Sequence, residues 1–376
     1  MLFRSASSKK LEHLSINEFD TKNVETMQNM FQNCESLESL DLSKWETPSV
    51  LSFSNMFSNC VNLKFLNLRN FDTKNSMGFD GMFYSCNSLT SIEITQFDTT
   101  NAETIYGIFA NCNSLQRIDI SRFNTSKVRI FSFMFYNCST LSSLDLSNIN
   151  TTNAFSTFRM FSHATRLKNL DLSNFDLSNL DDATEMFRGC TSLKSIKFPE
   201  SKRATSITTM ERIFKDCSSL ETIDLKVFQS RDIHEMSELF SGCKSLITID
   251  NLDLFDTTLA NDFTRMFYDC QSLTNLNLRN FETSEVINMQ EMFYNCNSLT
   301  YLNMEKFDTN KVEYMQQMFY NCISLPNLDI SNFNTKSCVD STEIFTNCYD
   351  LNLTLNKDNC QKILHDITDY VNIIEK

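Results

Sequence analysis

Glycine and proline are scarce in this chain, at 5 and 3 of 376 residues. That excludes a collagen-like, linker-rich or low-complexity chain, and it requires other residues to make the turns. Histidine is rarer than in most enzymes, with only His13, His163, His234 and His365. They form no His-Glu-x-x-His pair, and the chain has no Gly-x-Ser-x-Gly elbow and no glycine-rich phosphate loop. The sequence therefore points away from an enzyme and calls for no catalytic, metal or cofactor residue. No apolar run approaches the length of a membrane span. None follows the basic residues of Met1 to Lys10 as a signal peptide would require, and no cysteine sits in a lipid-anchor context there. Positive charge is in deficit, with 33 Lys and Arg against 47 Asp and Glu, for a net charge of −14. Such a surface repels nucleic acid and anionic lipid. It leaves either a basic protein partner or plain solubility as its purpose.

What the chain has is phenylalanine, 33 residues of it, and a repeat. The phrase Met-Phe-x-x-Cys-x-x-Leu-x-x-Leu-x-Leu returns with its phenylalanine at Phe31, Phe57, Phe83, Phe109, Phe135, Phe161, Phe187, Phe214, Phe240, Phe267, Phe293, Phe319 and Phe345. The step is 26 residues, twice 27. A period in this range means a stack of like units, each burying its apolar face on its neighbours.

Within one unit, Thr47 stands ten residues before Phe57, and ten of the thirteen units have Thr in that column. The hydroxyl reads as the N-cap of a helix, with Pro48 at the first helical position. Val50, Phe53, Met56, Phe57 and Cys60 then fall on one face of that predicted helix. Asn, Asp, Gly or Ser two residues after the key phenylalanine reads as a left-handed stop. Leu63-x-x-Leu66-x-Leu68 drops to a period of two, so a short strand follows. The expectation is an α/β solenoid, a horseshoe or superhelix, of 26-residue strand–helix repeats with a continuous parallel sheet. Residues 1–10 form a tail and 11–355 about thirteen repeats, irregular over 163–267. A capping helix over 356–376 carries Cys360, Ile363, Leu364, Ile367, Tyr370, Val371 and Ile374 on one face. Leu11, Leu14, Ile16 and Phe19 fit the strand columns, so the chain opens on an unpaired strand edge. That edge suggests missing upstream sequence or an assembly contact.

The run Met56-Phe57-x-x-Cys60-x-x-Leu63-x-x-Leu66-Asn67-Leu68-Arg69-Asn70-Phe71-Asp72-Thr73 resembles the BspA-like leucine-rich repeat surface proteins, in the form common in mycoplasma lipoprotein-associated repeats. Leu144-Asp145-Leu146-Ser147-Asn148 and Leu170-Asp171-Leu172-Ser173-Asn174-Phe175-Asp176 are similar to it too. The resemblance runs from about Leu11 to Leu355. It implies a non-enzymatic surface or secreted adhesion and host-interaction protein. The absence of an export signal, with cysteines that look unoxidised, favours instead a cytoplasmic scaffold subunit docking in a larger assembly.

Two columns carry the candidate chemistry. One cysteine per unit, from Cys34 to Cys348, reads as a buried thiol ladder, since neither disulfide nor tetrahedral zinc geometry suits a line of like positions. On the exposed strand face, Asp41, Glu93, Asp119, Asp145, Asp171 and Asp224 make an acidic row. It is either a solvated ladder bonded to neighbouring hydroxyls or a docking strip for a basic protein partner. Larger side chains interrupt the row at Phe65, Arg69, Arg117, Lys197, Lys226, Arg279 and Tyr301, and residues of these kinds are common interface anchors.

Overall fold

The computed structural model describes residues 16, 18–200, 205–230 and 232–376. The opening strand expected at Leu11 and Leu14, the tail before it, and residues 201–204 lie outside the described residues. The chain divides into two compact units, Met1–Leu180 with Ile196–Glu200, and Asp181–Ser195 with Ser201–Lys376. Each is a β-solenoid whose coils stack in parallel. A bridge ladder runs Thr26, Ser52, Gly78, Thr104, Ile130, Ser156 in the first, and Asp182, Thr209, Glu235, Asp262, Asn288, Tyr314, Asp340 in the second.

The strands are short and form separate sheets of two or three strands rather than the one continuous parallel sheet expected, and Leu144-Asp145-Leu146 forms no strand. In the first unit Ser39–Asp41 pairs with Phe65–Asn67, and Ser91–Ile92 with Arg117–Ile118. In the second, Thr222–Asp224 pairs with Thr248–Asp250 and Asn275–Asn277 with Tyr301–Asn303. Asn327–Asp329 pairs there with Asn352–Leu355. All are parallel with a register of one repeat, so like residues face one another.

The expected helices are absent: no α-helix occurs among the described residues. The segment from Phe53 to Cys60 is instead a run of overlapping turns. Met56 N–H donates to Phe53 O (3.0 Å), Ser58 to Asn55 O (3.1 Å) and Cys60 to Phe57 O (3.1 Å). The alternate N–H groups leave the coil. Phe53 donates to Gly78 O, Asn55 to Asp80 O, Phe57 to Met82 O and Asn59 to Tyr84 O, at 2.7–2.9 Å. The cause is a left-handed residue on each side of the key phenylalanine, Asn55 (φ +55°) and Asn59 (φ +61°). A positive φ at the third residue of a turn makes it type II and breaks the right-handed run that a helix needs. The apolar spacing that suggests a helix serves this path equally well.

The threonine column is likewise not a helix cap. Thr47 Oγ1 donates to Asp72 O (2.9 Å) and accepts from Asp72 N–H (2.9 Å), which clamps one coil to the next. Thr73, Thr99, Thr125, Thr151, Thr257, Thr283 and Thr309 bond forward in the same way and are buried. Pro48 sits in the turn closed by Val50 N–H on Thr47 O, where its fixed φ suits the second position.

The C-terminal capping helix is also absent. A 3₁₀ turn spans Ile363–Asp366, and Asn372–Glu375 adds a parallel strand to Asn352–Leu355. The extra residue near Asn251 is absorbed by Asn251 itself, left-handed at φ +59°, ahead of a 3₁₀ turn over Leu252–Leu254.

Each core is built on a phenylalanine stack. Phe31, Phe57, Phe83, Phe109, Phe135 and Phe161 stack at 5.6–6.0 Å in the first unit. Phe187, Phe214, Phe240, Phe267, Phe293, Phe319 and Phe345 stack at 5.4–5.9 Å in the second. Burying each such side chain contributes about 2–3 kcal/mol. The cysteines lie beside them as thiols, buried. Cys60 Sγ donates to Phe31 O of the coil before, and Cys86, Cys112, Cys138, Cys217, Cys243, Cys270, Cys296, Cys322 and Cys348 repeat the bond at 3.0–3.2 Å. The column needs a small apolar body with one donor, and cysteine supplies both.

Candidate interaction surface

Alternation along each strand fixes which side chains face outward. Leu40 points into the core, so Ser39 and Asp41 point away from it. By the same rule Asp41, Phe65, Arg69, Glu93, Arg117, Asp119, Asp145 and Asp171 are exposed in the first unit, with Lys197. Asp224, Lys226, Arg279 and Tyr301 are exposed in the second. The structure thus exposes every residue of the expected acidic row and every interrupting side chain, although Asp145 lies outside any strand, Arg69 and Arg279 lie in the turns after theirs, and Lys226 opens a 3₁₀ turn.

The aspartates are held rather than loose. Each Oδ1 accepts a backbone N–H two residues on, at 2.9 Å: Ser43 to Asp41, Ser121 to Asp119, Ser147 to Asp145 and Ser173 to Asp171. Lys226 N–H does the same for Asp224 (2.9 Å). The hydrogen bonds from Ser43 and Ser147, backbone then hydroxyl, hold the Asp41 and Asp145 carboxyls below their ordinary value. At Asp119 and Asp171 the serine hydroxyl bond leads and the backbone bond adds to it. A charge stabilised by donors titrates lower. The Asp119 charge works against this at Asp145, as like charges one strand apart must. In the second unit Asp224 lies directly across from Asp250, and Asn251 Nδ2 relieves the pair by donating to Asp224 Oδ1 at 2.6 Å.

Three clefts gather these residues. One of about 550 Å³ brings Phe65, Arg69 and Glu93 together with Lys64, Asn67 and Gln96. One of about 190 Å³ joins Asp145 and Asp171 through Ser147 and Ser173. In the second unit Tyr301 lines one of about 360 Å³ with Asp329, Ser331 and Lys376. Lys197 pairs with Asp171 at 3.4 Å, so it neutralises the row locally.

A second feature, mostly buried or half-buried, escapes a reading based on strands. The left-handed position two residues before the key phenylalanine carries Glu185, Arg212, Glu238, Arg265, Glu291, Gln317 and Glu343 through the second unit. Arg212 Nε bonds Glu238 Oε1 at 2.7 Å, and Arg265 grips Glu291 through two bonds of 2.9 Å. Tyr268, Tyr294 and Tyr320 stack nearby at 4.8 and 4.7 Å. The alternation of Glu and Arg at one repeat position was the available signal.

Among the described residues no group of His, Cys, Asp or Glu is placed to hold a metal, and no helix is long and apolar enough to cross a membrane. Coils of this kind, with a parallel strand and a consensus of inward leucines, define a leucine-rich-repeat solenoid. The chain belongs to the family described as "Mycoplasma protein of unknown function, DUF285", which matches residues 1–116, 81–199, 200–300 and 262–372. It is similar in fold to a leucine-rich repeat protein from Bacteroides ovatus, at TM-score 0.57 and 18% identity over 93% of this chain and 86% of that one. A leucine-rich repeat protein from Eubacterium ventriosum also matches, at TM-score 0.41 and 15% identity over 85% and 78% of the two chains. No curated protein matches the chain.

Proposed function

We propose that the chain is a protein-interaction solenoid of the BspA-like kind, displayed at the cell surface or secreted, and that its strand face docks a basic protein partner. The observation that carries this reading is the row of serine-held carboxylates at Asp41, Asp119, Asp145 and Asp171. Hydrogen bonds lower their titration, so they stay charged at any physiological pH. Their orientation is fixed before a partner arrives, which cuts the entropy cost of binding. Phe65, Arg69 and Arg117 of the same unit supply anchors of the type that dominates interfaces. Complementary charge of this kind sets on-rate and partner choice more than raw affinity.

A second reading is an internal scaffold subunit. The thiol ladder favours it, because so many reduced cysteines suit a reducing compartment. Protease shaving of intact source cells separates the two. Release of peptides from across the repeats without lysis supports the surface reading. Protection of the whole chain until lysis overturns it and leaves the scaffold.

A further inference from the structure

The tyrosine stack of the second unit ends abruptly, and its end is open. Tyr320, Tyr294 and Tyr268 follow one another with ring planes within 5° and 9° of parallel. The next layer at this repeat position is Ser241, which has no ring to continue the stack. Beside it stands Gly242, at φ +78°, where an added Cβ would lie 2.5 Å from Asp216 Oδ1. Asp216 fills the Cβ position at Gly242, so it is Ser241 that leaves this layer without a ring, and a cleft of about 280 Å³ lies there. Tyr268 forms one wall, and Lys215 with Asp216 belongs to the other.

The polar groups around this cleft are already matched in charge. Lys215 is ion-paired with Glu238. Lys244 Nζ lies 3.2 Å from Asp269 Oδ2. Arg265, 5.4 Å from the Tyr268 ring centroid, is committed to Glu291. Neutral pairs attract no ion strongly, but each sets a carboxylate acceptor next to an ammonium donor. A hydroxyl both donates and accepts, so an array of such pairs suits a ligand rich in hydroxyls. An aromatic face suits the apolar face of the same ligand.

We infer that this cleft is a saccharide subsite, in which a pyranose ring takes the layer missing from the tyrosine stack. Its C–H face rests on Tyr268, and its hydroxyl edge meets the Lys215–Glu238 and Lys244–Asp269 pairs. Few convergent polar groups around an apolar wall are what small-ligand sites use. The inference is independent of the strand-face reading, since it uses the turn edge of the coil and none of the acidic row.

Saturation-transfer difference NMR tests it, on the full chain with the methyl glycosides of glucose, galactose, mannose and N-acetylglucosamine as probes. Transfer to the ring protons of at least one glycoside is expected. Ser241→Tyr fills the missing layer with a fourth ring and should abolish that transfer while circular dichroism stays unchanged. Tyr268→Leu removes the platform and should abolish it too, so the test survives if one variant does not fold. Absence of transfer to every glycoside overturns the inference, as does transfer that persists in both variants. Transfer to arginine amide alone would overturn it as well, since the slot would then take a guanidinium.

Discussion

The two units share one coil and fill its most strained position differently. Two residues before each key phenylalanine the backbone is left-handed throughout, at φ +53° to +59°. The first unit sets Asn29, Asn55, Gly81, Gly107, Phe133 and Arg159 there. Four of these are residues that tolerate the conformation. The second unit sets Glu185, Arg212, Glu238, Arg265, Glu291, Gln317 and Glu343 there, of which none is favoured in it. Outside glycine and asparagine the left-handed region costs about 1–2 kcal/mol per residue. The second unit offsets that cost with ion pairs between neighbouring coils. The first mostly avoids it by residue choice. One backbone solution can thus be held by local preference or by side-chain ladders.

The largest expected effect comes from alkali, and it should differ between the units. The Cys34 hydrogen bond and burial push the Cys60 thiol up, and burial does the same for Cys86, Cys112 and Cys138 in the first unit and for Cys217, Cys243, Cys270, Cys296, Cys322, Cys338, Cys348 and Cys360 in the second. Cys112, Cys296 and Cys348 reach about 12 and Cys360 about 11. The unfolded thiol titrates near 9.0, so above that pH the unfolded chain releases protons that the native chain keeps. Stability is complete below about pH 9 and falls as pH rises towards 12, by about 1.4 kcal/mol per pH unit for each such thiol. Trp45, the one tryptophan, lies in the first unit and reports it alone. Circular dichroism reports both. The dichroism should collapse at lower pH than Trp45 fluorescence changes, and coincident transitions would break the comparison.

A smaller effect follows from Arg265→Ala. Glu291, with its side chain 8% exposed, would lose both guanidinium bonds and keep only that from Gln290. Removing one partner of a fully buried pair costs about 3–5 kcal/mol. Arg265 is 43% exposed, so solvent screening brings the expected loss to about 2 kcal/mol. Urea unfolding followed by dichroism should show the loss while the Trp45 transition stays in place. The double variant Arg265→Ala with Glu291→Ala should recover most of it, because no buried charge is left behind.

These contrasts also explain how much could be read in advance. The repeat, the inward Phe, Leu and Cys columns, the exposed acidic row and the left-handed Asn, Asp, Gly, Ser or His after each phenylalanine are all visible as residue types at fixed spacing. The path between Thr47 and Cys60 is not. Apolar residues three and four apart fit a helix and a run of overlapping turns alike, and a hydroxyl ahead of them fits a cap and a clamp alike. Asn29, Asn55, Gly81 and Gly107 carry the deciding signal, a second left-handed position. Glu238 and Arg265 conceal it, because both are good helix formers. The C-terminus misleads for a similar reason. The spacing of Cys360, Ile363, Leu364 and Ile367 suits a helix, yet the open edge at Asn352–Leu355 recruits Asn372–Glu375 as a strand.

The sharpest small test sits at Phe133, where the first unit departs from its own rule. This phenylalanine is left-handed at φ +59°, a conformation that a bulky side chain rarely adopts. Its ring meets Tyr106, Tyr136 and Phe158 at 5.2 Å each, and the Arg159 guanidinium lies 5.8 Å above it. Contacts of this type are worth about 0.5–1.5 kcal/mol each beyond burial, and the ring is only half-buried. Phe133→Asn removes those contacts and relieves the backbone at once, so the two terms oppose. The expected change in unfolding free energy, read at Trp45, is within about 1 kcal/mol of zero. Phe135→Ala, two residues on in the stacked core, should cost about 3–5 kcal/mol by the same measurement. If Phe133→Asn costs as much as Phe135→Ala, side-chain ladders hold the strained position in both units, and residue preference explains neither.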